Sequence, residues 1–475
     1  MKARFIALWD DLLSSYWFIP SLMTVAAVAL SFIVTAVDGR IGSGWIESVP
    51  WLYANKPDGA RTLLATISGS MIGVAGVTFS ITIASVVYAS GQYGPRLLTN
   101  FMRDRGNQIT LGTFIATFLY GLLVLRTIRA PDEAFGGENP AGDVVGPFVP
   151  HLAILTALVL TLASIGVLIY FIHHIPESIH VSNVIAGIGR DLDRKIETLF
   201  PTRIGDADPG DEARASDDVR TAVPDGFYDE AEAVASDGGG YIQALDTDAL
   251  MAVAVEHDLL LRLRHRPGDF LSEGDALLLA WPADRVTDEA RRAIRLAFAW
   301  SAQRTARQDV RFLVNELVEI AARALSPGVN DPFTASTCLD WLGSALKGLA
   351  DRTIPSAQRH DSGGTLRVIA EPTGYDEFVQ HAFGQLRPYL ASDRNAALYA
   401  LRVIAEVAGR ARSESRRAAL RAEADAILQG AEAVLVIEAD KAAIRYRHRV
   451  VVRLLTGHMS YEQLAAETDW IGGTA

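Results

Sequence analysis

Four long stretches of the chain lack charged residues for about the length that a helix needs to cross a bilayer. They lie at Tyr16–Val37, Thr62–Ser90, Gln108–Leu125 and Leu152–Ile172. The second is longer than the roughly 20 residues required, so we expect it to tilt or to project beyond the lipid. The first is too long for a removable signal peptide and lacks a small-residue cleavage site. The pattern predicts a domain of four transmembrane helices over residues 1–175.

Basic residues beside these stretches predict the orientation. Lys2 and Arg4 precede the first stretch, Arg96, Arg103 and Arg105 lie between the second and third, and Arg190, Arg194 and Lys195 follow the fourth. With an even number of spans, these charges place both termini in the cytoplasm and the protein in the bacterial inner membrane. Four basic residues fall on the outer side instead: Arg40, Lys56, Arg61 and Arg129. Arg96, Arg103 and Arg105 are then lipid anchors, or a positive ring at the inner mouth of an oligomer.

After the spans, the pattern changes several times. Residues 176–202 are amphipathic and predict a helical neck, and residues 203–237 form an acidic linker without helical periodicity. Residues 238–285 alternate short apolar segments with turn signals at "RPGD" and "SEGD", which predicts a small β-rich, barrel-like module. Residues 286–475 show apolar residues at spacings of three and four, which predicts a helical domain. The fold class is therefore a mainly α membrane protein with a mixed cytoplasmic region.

The β-rich module has the turn pattern of a lipoyl- or biotinyl-type domain, but no lysine lies within residues 238–285 to carry such a group.

In the predicted helical domain, "SPGVNDPFTAST" separates two predicted helices. Pro327 and Gly328 make the turn, Asp331 is a good N-cap, and Pro332 suits the first helical position. The alternative is that the exposed helix N-terminus, with Asn330 and Thr334, receives an anion or a carboxylate of a partner.

The second span carries an unusual number of small residues. Gly69, Gly73, Gly76, Ser80 and Ala84 follow one another at spacings of four, three, four and four, and so form one helix face. Such a face lets helix backbones approach closely, which drives helix association in lipid. We expect this face to pack against another helix.

A second row on the same helix carries hydroxyl groups at Thr78, Thr82 and Ser85. Hydroxyls of membrane helices bond to carbonyl groups of their own helix, or they line a path for water and ions. The row is therefore either satisfied within a packed helix or lines the inner half of a pore. No acid, base or histidine interrupts the four stretches, which argues against a proton-coupled carrier.

Four segments together resemble a known family: "SGSMIGVAGVTFSIT", "QYGPRLLTNFMRDR", "YFIHHIPESIHVSNVI" and "RALSPGVNDPFTA". The chain is similar to the bacterial predicted membrane proteins of domain-of-unknown-function family 2254, and the resemblance extends over most of its length. It implies a multi-span membrane domain followed by a cytoplasmic region. It implies no activity, because the family is defined without one.

The neck holds one candidate metal set. His173, Glu177 and His180 share a helix face at spacings of four and three, a combination that can bind a zinc-like ion. The simpler interpretation is that they are solvated residues at the membrane surface, and Pro176 disturbs the helix between them. His173 and His174 are also candidate pH-responsive groups. We therefore expect no metal and no other cofactor.

Composition removes several function classes. The formal net charge is −12 and no basic patch with interleaved aromatic residues occurs, so nucleic acid is not an expected partner. Cys338 is the only cysteine, which excludes a disulfide within the chain. We expect it to be a small buried residue. No phosphate loop, nucleophile elbow, zinc-protease motif or calcium loop is present, so the sequence predicts no enzyme.

Two functions fit these features. The first is an oligomeric inner-membrane channel or passive ion conductance, with the second span lining the path and the cytoplasmic region regulating it. The second is a non-conducting protein whose spans anchor a cytoplasmic region that binds a ligand or partner. The expected partners are membrane lipid and further copies of the chain, with small ions if it conducts. Burial of Thr78, Thr82 and Ser85 within one subunit favours the second function.

Overall fold

The computed structural model describes residues 15–41, 57–94, 104–130, 148–200 and 223–466. The chain forms two compact units, which divide between His180 and Val181. We call them the membrane unit and the C-terminal unit. The division lies beyond the predicted boundary at residue 175, because the helix of the fourth span continues through Pro176 and ends at Ile179.

The described residues of the membrane unit form four helices. They are α1 (Phe18–Ile41), α2 (Pro57–Tyr93), α3 (Arg105–Leu125) and α4 (His151–Ile179). Each is long and apolar enough to cross a membrane, as the hydropathy pattern predicts. With 37 residues, α2 also has the excess length expected of it.

Helix α3 is the centre of the membrane unit and contacts the other three helices. Half of the residues in its apolar segment are buried (50%), compared with 17–22% in the other three. Tyr120 and Val124 of α3 are fully buried among Leu64 of α2 and Ile154 of α4. The outward surfaces of α1, α2 and α4 are correspondingly apolar and exposed, as lipid-facing surfaces are.

The predicted neck is divided between the two units, with residues 176–180 in the membrane unit and the residues from Val181 onward in the C-terminal unit. His180 is extended, and a new helix, α5 (Val181–Leu199), begins after it. The neck over residues 176–202 is therefore not one helix continuous with the fourth span. Helix α5 packs against α9 (Val310–Ala324) and α10 (Pro332–Ala350). Gly189 of α5 lies directly on the ring of Trp341, where no Cβ atom would fit.

The β-rich part follows. Its strands are β1 (Glu232–Ala235), β2 (Gly240–Leu245), β3 (Leu260–Leu263), β4 (Phe270–Leu271), β5 (Ala276–Trp281), β6 (Phe298–Ser301), β7 (Gln358–His360) and β8 (Leu366–Ile369). Between them lie α6 (Phe227–Glu230), α7 (Thr247–Glu256), a 3₁₀ turn (Ala283–Arg285) and α8 (Asp288–Leu296). One sheet has the order β1-β5-β3-β8-β7 and the other the order β4-β2-β6.

The predicted strands and turns of this part are confirmed, but its predicted limits are wrong. Gly268 and Gly274 adopt positive φ in the two turns, a conformation that suits glycine. The β-rich part begins before residue 238 and continues beyond 285, and β7 and β8 come from the predicted helical domain. Strand β8 pairs in parallel with β3, with Leu261 opposite Val368, and local pattern cannot show so distant a pairing. Residues 203–222 of the predicted acidic linker lie outside the described residues. Its last part, residues 223–237, contains α6 and β1.

The remainder of the C-terminal unit is helical, as predicted. It comprises α9, α10, α11 (Tyr375–Val379), a π-helical turn (Gln380–Gly384), α12 (Arg387–Ser392), α13 (Arg394–Ala408), α14 (Glu414–Val434), α15 (Glu438–Leu455) and α16 (Tyr461–Ala465). Helix α13 lies between α10 and α15. Cys338 of α10 is fully buried, as expected. Its burial raises the pKa of the thiol, so the residue is a core residue and not a nucleophile.

One buried arginine closes the end of α10. Arg416 is only 2% exposed, and it donates hydrogen bonds to the carbonyl groups of Leu349, Ala350 and Arg352. Its guanidinium also lies 5.0 Å from the centre of the Tyr375 ring. Carbonyl groups at a helix C-terminus have no partner within the helix and carry partial negative charge. Arg416 therefore satisfies them from a distant part of the chain.

Candidate functional site

The small residues of the second span lie on the outward surface of the membrane unit. Gly69, Gly73, Gly76 and Ser80 are all exposed. A Cβ atom added at any of these three glycines would meet no heavy atom of the described residues within 4 Å. The face is therefore not packed against another helix of the same described chain. Close packing of this face stays a prediction for a contact with a second subunit.

Two of the three residues of the hydroxyl row are buried inside the membrane unit. Thr78 and Thr82 are each 3% exposed. Thr78 Oγ1 donates to the carbonyl oxygen of Ala75 at 3.0 Å, and Thr82 Oγ1 donates to that of Thr78 at 2.9 Å. Ser85 is partly exposed. Both threonine hydroxyls are thus satisfied by their own helix inside one subunit, which favours the packed interpretation of the row.

Close approach between helices of the membrane unit occurs on α3 instead. A Cβ atom at Gly112 would lie 3.1 Å from Cα of Pro20 in α1. A Cβ atom at Gly121 would lie 2.5 Å from Oγ of Ser68 in α2. Both positions need a glycine because a neighbouring helix touches them. Their separation of nine residues shows no regular spacing, so sequence reasoning did not find them.

A carboxylate joins the first and fourth spans. Asp38 of α1 is 6% exposed and accepts hydrogen bonds from the backbone N–H groups of Leu152 and Ala153 at 3.0 and 2.9 Å. These groups open α4, whose own N-cap residue, Pro150, provides no side-chain hydrogen bond. Asp38 therefore caps α4 from another helix. The predicted first span ended at Val37, so this residue was missed.

A second polar contact joins α3 and α4. Nε2 of His174 lies 3.0 and 2.9 Å from the two carboxylate oxygens of Asp104. The Tyr170 ring stacks on the imidazole, with ring centres 5.0 Å apart. Asp104 also accepts from the N–H group of Asn107 and so caps α3. His174, one of the two candidate pH-responsive histidines, thus has a fixed carboxylate partner, whereas His173 is 81% exposed.

The candidate metal set is not assembled. Nε2 of His173 lies 3.3 Å from Oε1 of Glu177 on the exposed surface of α4. His180 follows the helix with an extended backbone, so it leaves the face that the other two share. Within the five described ranges, no group of three or more His, Cys, Asp or Glu side chains is placed to hold a metal ion.

Three arginines between the second and third spans were predicted as lipid anchors or as a ring at the inner mouth. Arg105 is exposed at the first position of α3, and Arg96 and Arg103 lie outside the described residues.

The "SPGVNDPF" motif forms the start of α10. Asp331 accepts from the N–H group of Thr334 at 3.1 Å and Pro332 opens α10, as predicted. Asn330 adopts a positive φ of 50° after the turn at Pro327 and Gly328. Because Thr334 Oγ1 also donates to Asp331, these residues are engaged as a cap.

A cavity of about 660 Å³ lies in the C-terminal unit beside β3. Residues 262–267, which run from β3 into the following turn, line it and include Arg262, Arg264 and Arg266. Arg311 of α9 adds a fourth guanidinium group. The carboxylates in the lining are those of Asp269 and Glu371. The cavity is therefore lined by more positive than negative groups.

Two of these arginines make ion pairs with partly exposed glutamates. Arg262 lies 3.1 Å from Glu371, which is 44% exposed, and its guanidinium lies over the Tyr228 ring. Arg266 lies 2.7 Å from Glu377, which is 37% exposed. Pairs of this exposure contribute little stability, about 0–1 kcal/mol each. Arg262 and Arg266 can therefore leave these glutamates for an anion that binds them more strongly.

Arg311 is held more firmly. It lies 2.9 Å from Asp269 and 3.3 Å from Asp309, whose side chain is only 1% exposed. Burial by itself would lower the pKa of Arg311, but the two carboxylates raise it above its ordinary value. Arg311 is thus a permanently charged part of the wall, and its two carboxylates fix its position.

Arg264 differs from the other three arginines. Its side chain is exposed, and it makes no ion pair with any residue of the described chain. Arginines at alternate positions from the end of β3 to a Pro-Gly turn were a sequence signal for this cavity. The sequence analysis assigned no role to these arginines and so missed the cavity.

Comparison with known proteins gives a family and distant relatives. A family model described as "Predicted membrane protein (DUF2254)" matches residues 13–406. Two uncharacterized proteins, Mb1321c of Mycobacterium bovis and Rv1290c of Mycobacterium tuberculosis, are each 27% identical to the chain over 452 residues. These alignments cover 94% of the chain and 81% of each relative. No solved structure matches the chain.

Proposed function

The chain belongs to the DUF2254 family of predicted membrane proteins, and we propose that its four spans anchor a small-molecule-binding C-terminal unit to the bacterial inner membrane. The observation that carries the proposal is the cavity beside β3. Its volume of about 660 Å³ is in the range of small-molecule sites, roughly 300–1,000 Å³. Its walls combine apolar side chains with a few converging charged groups, as such sites do.

The second span supports an anchor more than a pore. Thr78 and Thr82 are buried within one subunit and bonded to their own helix. A water-lined path needs polar groups that face its centre, and these two hydroxyls face protein. The four helices then serve to hold the C-terminal unit at the membrane.

We place both termini and the C-terminal unit in the cytoplasm. The support is the basic cluster Arg190, Arg194 and Lys195, which follows the fourth span. Single cysteines at Gly44 and Gly136 should react with a membrane-impermeant maleimide in intact cells, and one at Gly210 should not. Native Cys338 is fully buried and should give no background. Labelling at position 210 in intact cells would reverse the orientation.

The ligand-binding function is tested by a screen that makes no assumption about the ligand. Purified full-length protein is heated with anionic, cationic and neutral metabolites, and its unfolding temperature is measured. Ala370 lines the cavity, so Ala370→Trp should fill part of it, whereas Ala370→Ser should leave it open. We expect at least one metabolite to stabilise the native protein and Ala370→Ser but not Ala370→Trp. Equal stabilisation of Ala370→Trp, or none by any metabolite, contradicts the proposal.

A second candidate function, an oligomeric conductance, is favoured by the exposed small-residue face of α2. Gly73, Gly76 and Ser80 have open space outside them within the described chain, so several copies can meet there or enclose a path. In that case the glycine face lines the path in place of the threonine row. Bilayer recordings of purified protein test this. Ser80→Asp should then shift selectivity toward cations, and an absence of current in the native protein rejects a conductance.

A further inference from the structure

We propose that the cavity beside β3 binds a small water-soluble molecule that carries at least two phosphate groups. The inference rests on the proposed ligand-binding function and names the chemical class of the ligand. Guanidinium groups are planar forks that bind phosphate through paired, charge-assisted hydrogen bonds. Four of them, from Arg262, Arg264, Arg266 and Arg311, line this one cavity.

The arrangement calls for more than one anionic group. Arg262 lies in β3 and Arg266 follows it by four residues, just before the turn at Pro267 and Gly268. An extended chain advances about 3.3 Å per residue, so their backbones are separated by at most roughly 13 Å. A ligand that engages guanidinium groups along this whole segment needs more than one anionic group. A diphosphate group can engage Arg264 at the centre together with one of its neighbours.

Existing ion pairs leave room for this exchange. Glu371 and Glu377 are 44% and 37% exposed, so either carboxylate can turn to water when a phosphate takes its arginine. Arg264 has no carboxylate to exchange within the described chain and should be the strongest single contributor. Asp309 is 1% exposed and stays with Arg311, which keeps that wall in place.

The volume of the cavity and its apolar lining indicate that the ligand also has an organic part. A cavity of about 660 Å³ has the size of sites that bury most of a drug-sized ligand's surface, and such a ligand is larger than a diphosphate alone. Leu263, Pro267 and Leu279 provide apolar wall, and Tyr228 provides an aromatic ring. A nucleoside diphosphate has the required combination of charge, ring and size.

Binding of pyrophosphate and of ADP to the full-length protein tests the inference. The protein is placed in nanodiscs of neutral phosphatidylcholine, and heats of binding are measured by titration calorimetry. We expect saturable binding of both probes, tighter for ADP because of its organic part. Charge-assisted hydrogen bonds are strong enough that Arg264→Gln should weaken binding about 10-fold or more.

The matched control is Arg292→Gln. Arg292 is an exposed arginine of α8 outside the cavity lining, so its loss changes net charge equally and should leave both affinities unchanged. Glu371→Gln removes a competitor for Arg262 and should strengthen binding. The inference is overturned if Arg264→Gln strengthens binding and Glu371→Gln weakens it. It is also overturned if Arg264→Gln and Arg292→Gln weaken binding equally.

Two further outcomes overturn the inference in different ways. If neither probe binds with a Kd below about 1 mM, while Ala370→Trp abolishes binding of a ligand without phosphate, the ligand class is wrong and the proposed function stands. If the protein instead binds phosphatidate vesicles in an Arg264-dependent manner and ignores both probes, the phosphate belongs to a lipid headgroup and not to a soluble molecule.

Discussion

The second and third spans differ in what their sequences show and in what they contact. Helix α2 carries a regular face of small residues, yet that face is exposed on the membrane unit. In helix α3, Gly112 and Gly121 are nine residues apart, and both lie against neighbouring helices. Its apolar segment is also 50% buried, compared with 22% in α2.

The hydroxyl groups of these two helices differ in the same way. Thr78 of α2 donates to a carbonyl group of its own helix, and Thr82 bonds both to its own helix and to the side chain of Tyr16, which precedes α1. Thr117 of α3 lies 3.1 Å from the hydroxyl of Ser164 in α4, and Tyr120 OH donates to the carbonyl of Ala153 at 3.1 Å. The position of a helix in the bundle therefore decides whether its small and polar residues join helices.

The largest expected effect separates the glycines of the two spans. Gly112→Leu forces a side chain into the contact with α1, and overpacking of this kind costs about 1–3 kcal/mol, occasionally more. Gly73→Leu enters open space and should leave the fold of a single chain intact. The unfolding temperature in one detergent and the yield of monodisperse protein measure this difference.

Gly73→Leu also tests the second subunit. If α2 packs against another copy, the substitution should lower the oligomer mass measured by light scattering without lowering the unfolding temperature of the monomer. A Gly73→Leu protein that loses as much stability as Gly112→Leu would show that the contrast between the two helices is wrong.

A smaller effect is expected at Asp38, where α1 caps α4. Asp38→Ala removes two hydrogen bonds from the start of α4, and loss of an N-cap costs about 0.5–2 kcal/mol. Asp38→Asn keeps one acceptor oxygen and should lose less. Thermal unfolding of the three proteins side by side measures the order, and a more stable Asp38→Ala protein would exclude the capping contribution.

The smallest expected effect compares two threonines. Thr117→Val removes a hydrogen bond between helices, worth about 0.6 kcal/mol in membrane proteins. Thr78→Val removes a bond within one helix and should be nearly silent in stability. If Thr78→Val instead abolishes a bilayer current while the protein stays folded, the hydroxyl row lines a pore and the packed interpretation fails.

The C-terminal unit shows how far local pattern extends. The apolar segments and turns of residues 240–281 predict β2, β3 and β5, and the cap at Asp331 follows from its neighbours alone. The pairing of β3 with β8 joins residues about a hundred positions apart, and no local signal marks it. The cavity depends on that pairing, because Ala370 and Glu371, which follow β8, line it together with Arg262 of β3.

The sequence by itself determined that the chain has four spans, which residues form them, and that strands and helices follow, because hydropathy and periodicity are properties of consecutive residues. It also determined that the second span has a smooth small-residue face. Only the tertiary structure decided that α3 and not α2 is the central helix, that Asp38 caps α4, and that four arginines meet in one cavity. These outcomes depend on contacts between distant residues, and one chain's pattern of consecutive residues is compatible with many such sets of contacts.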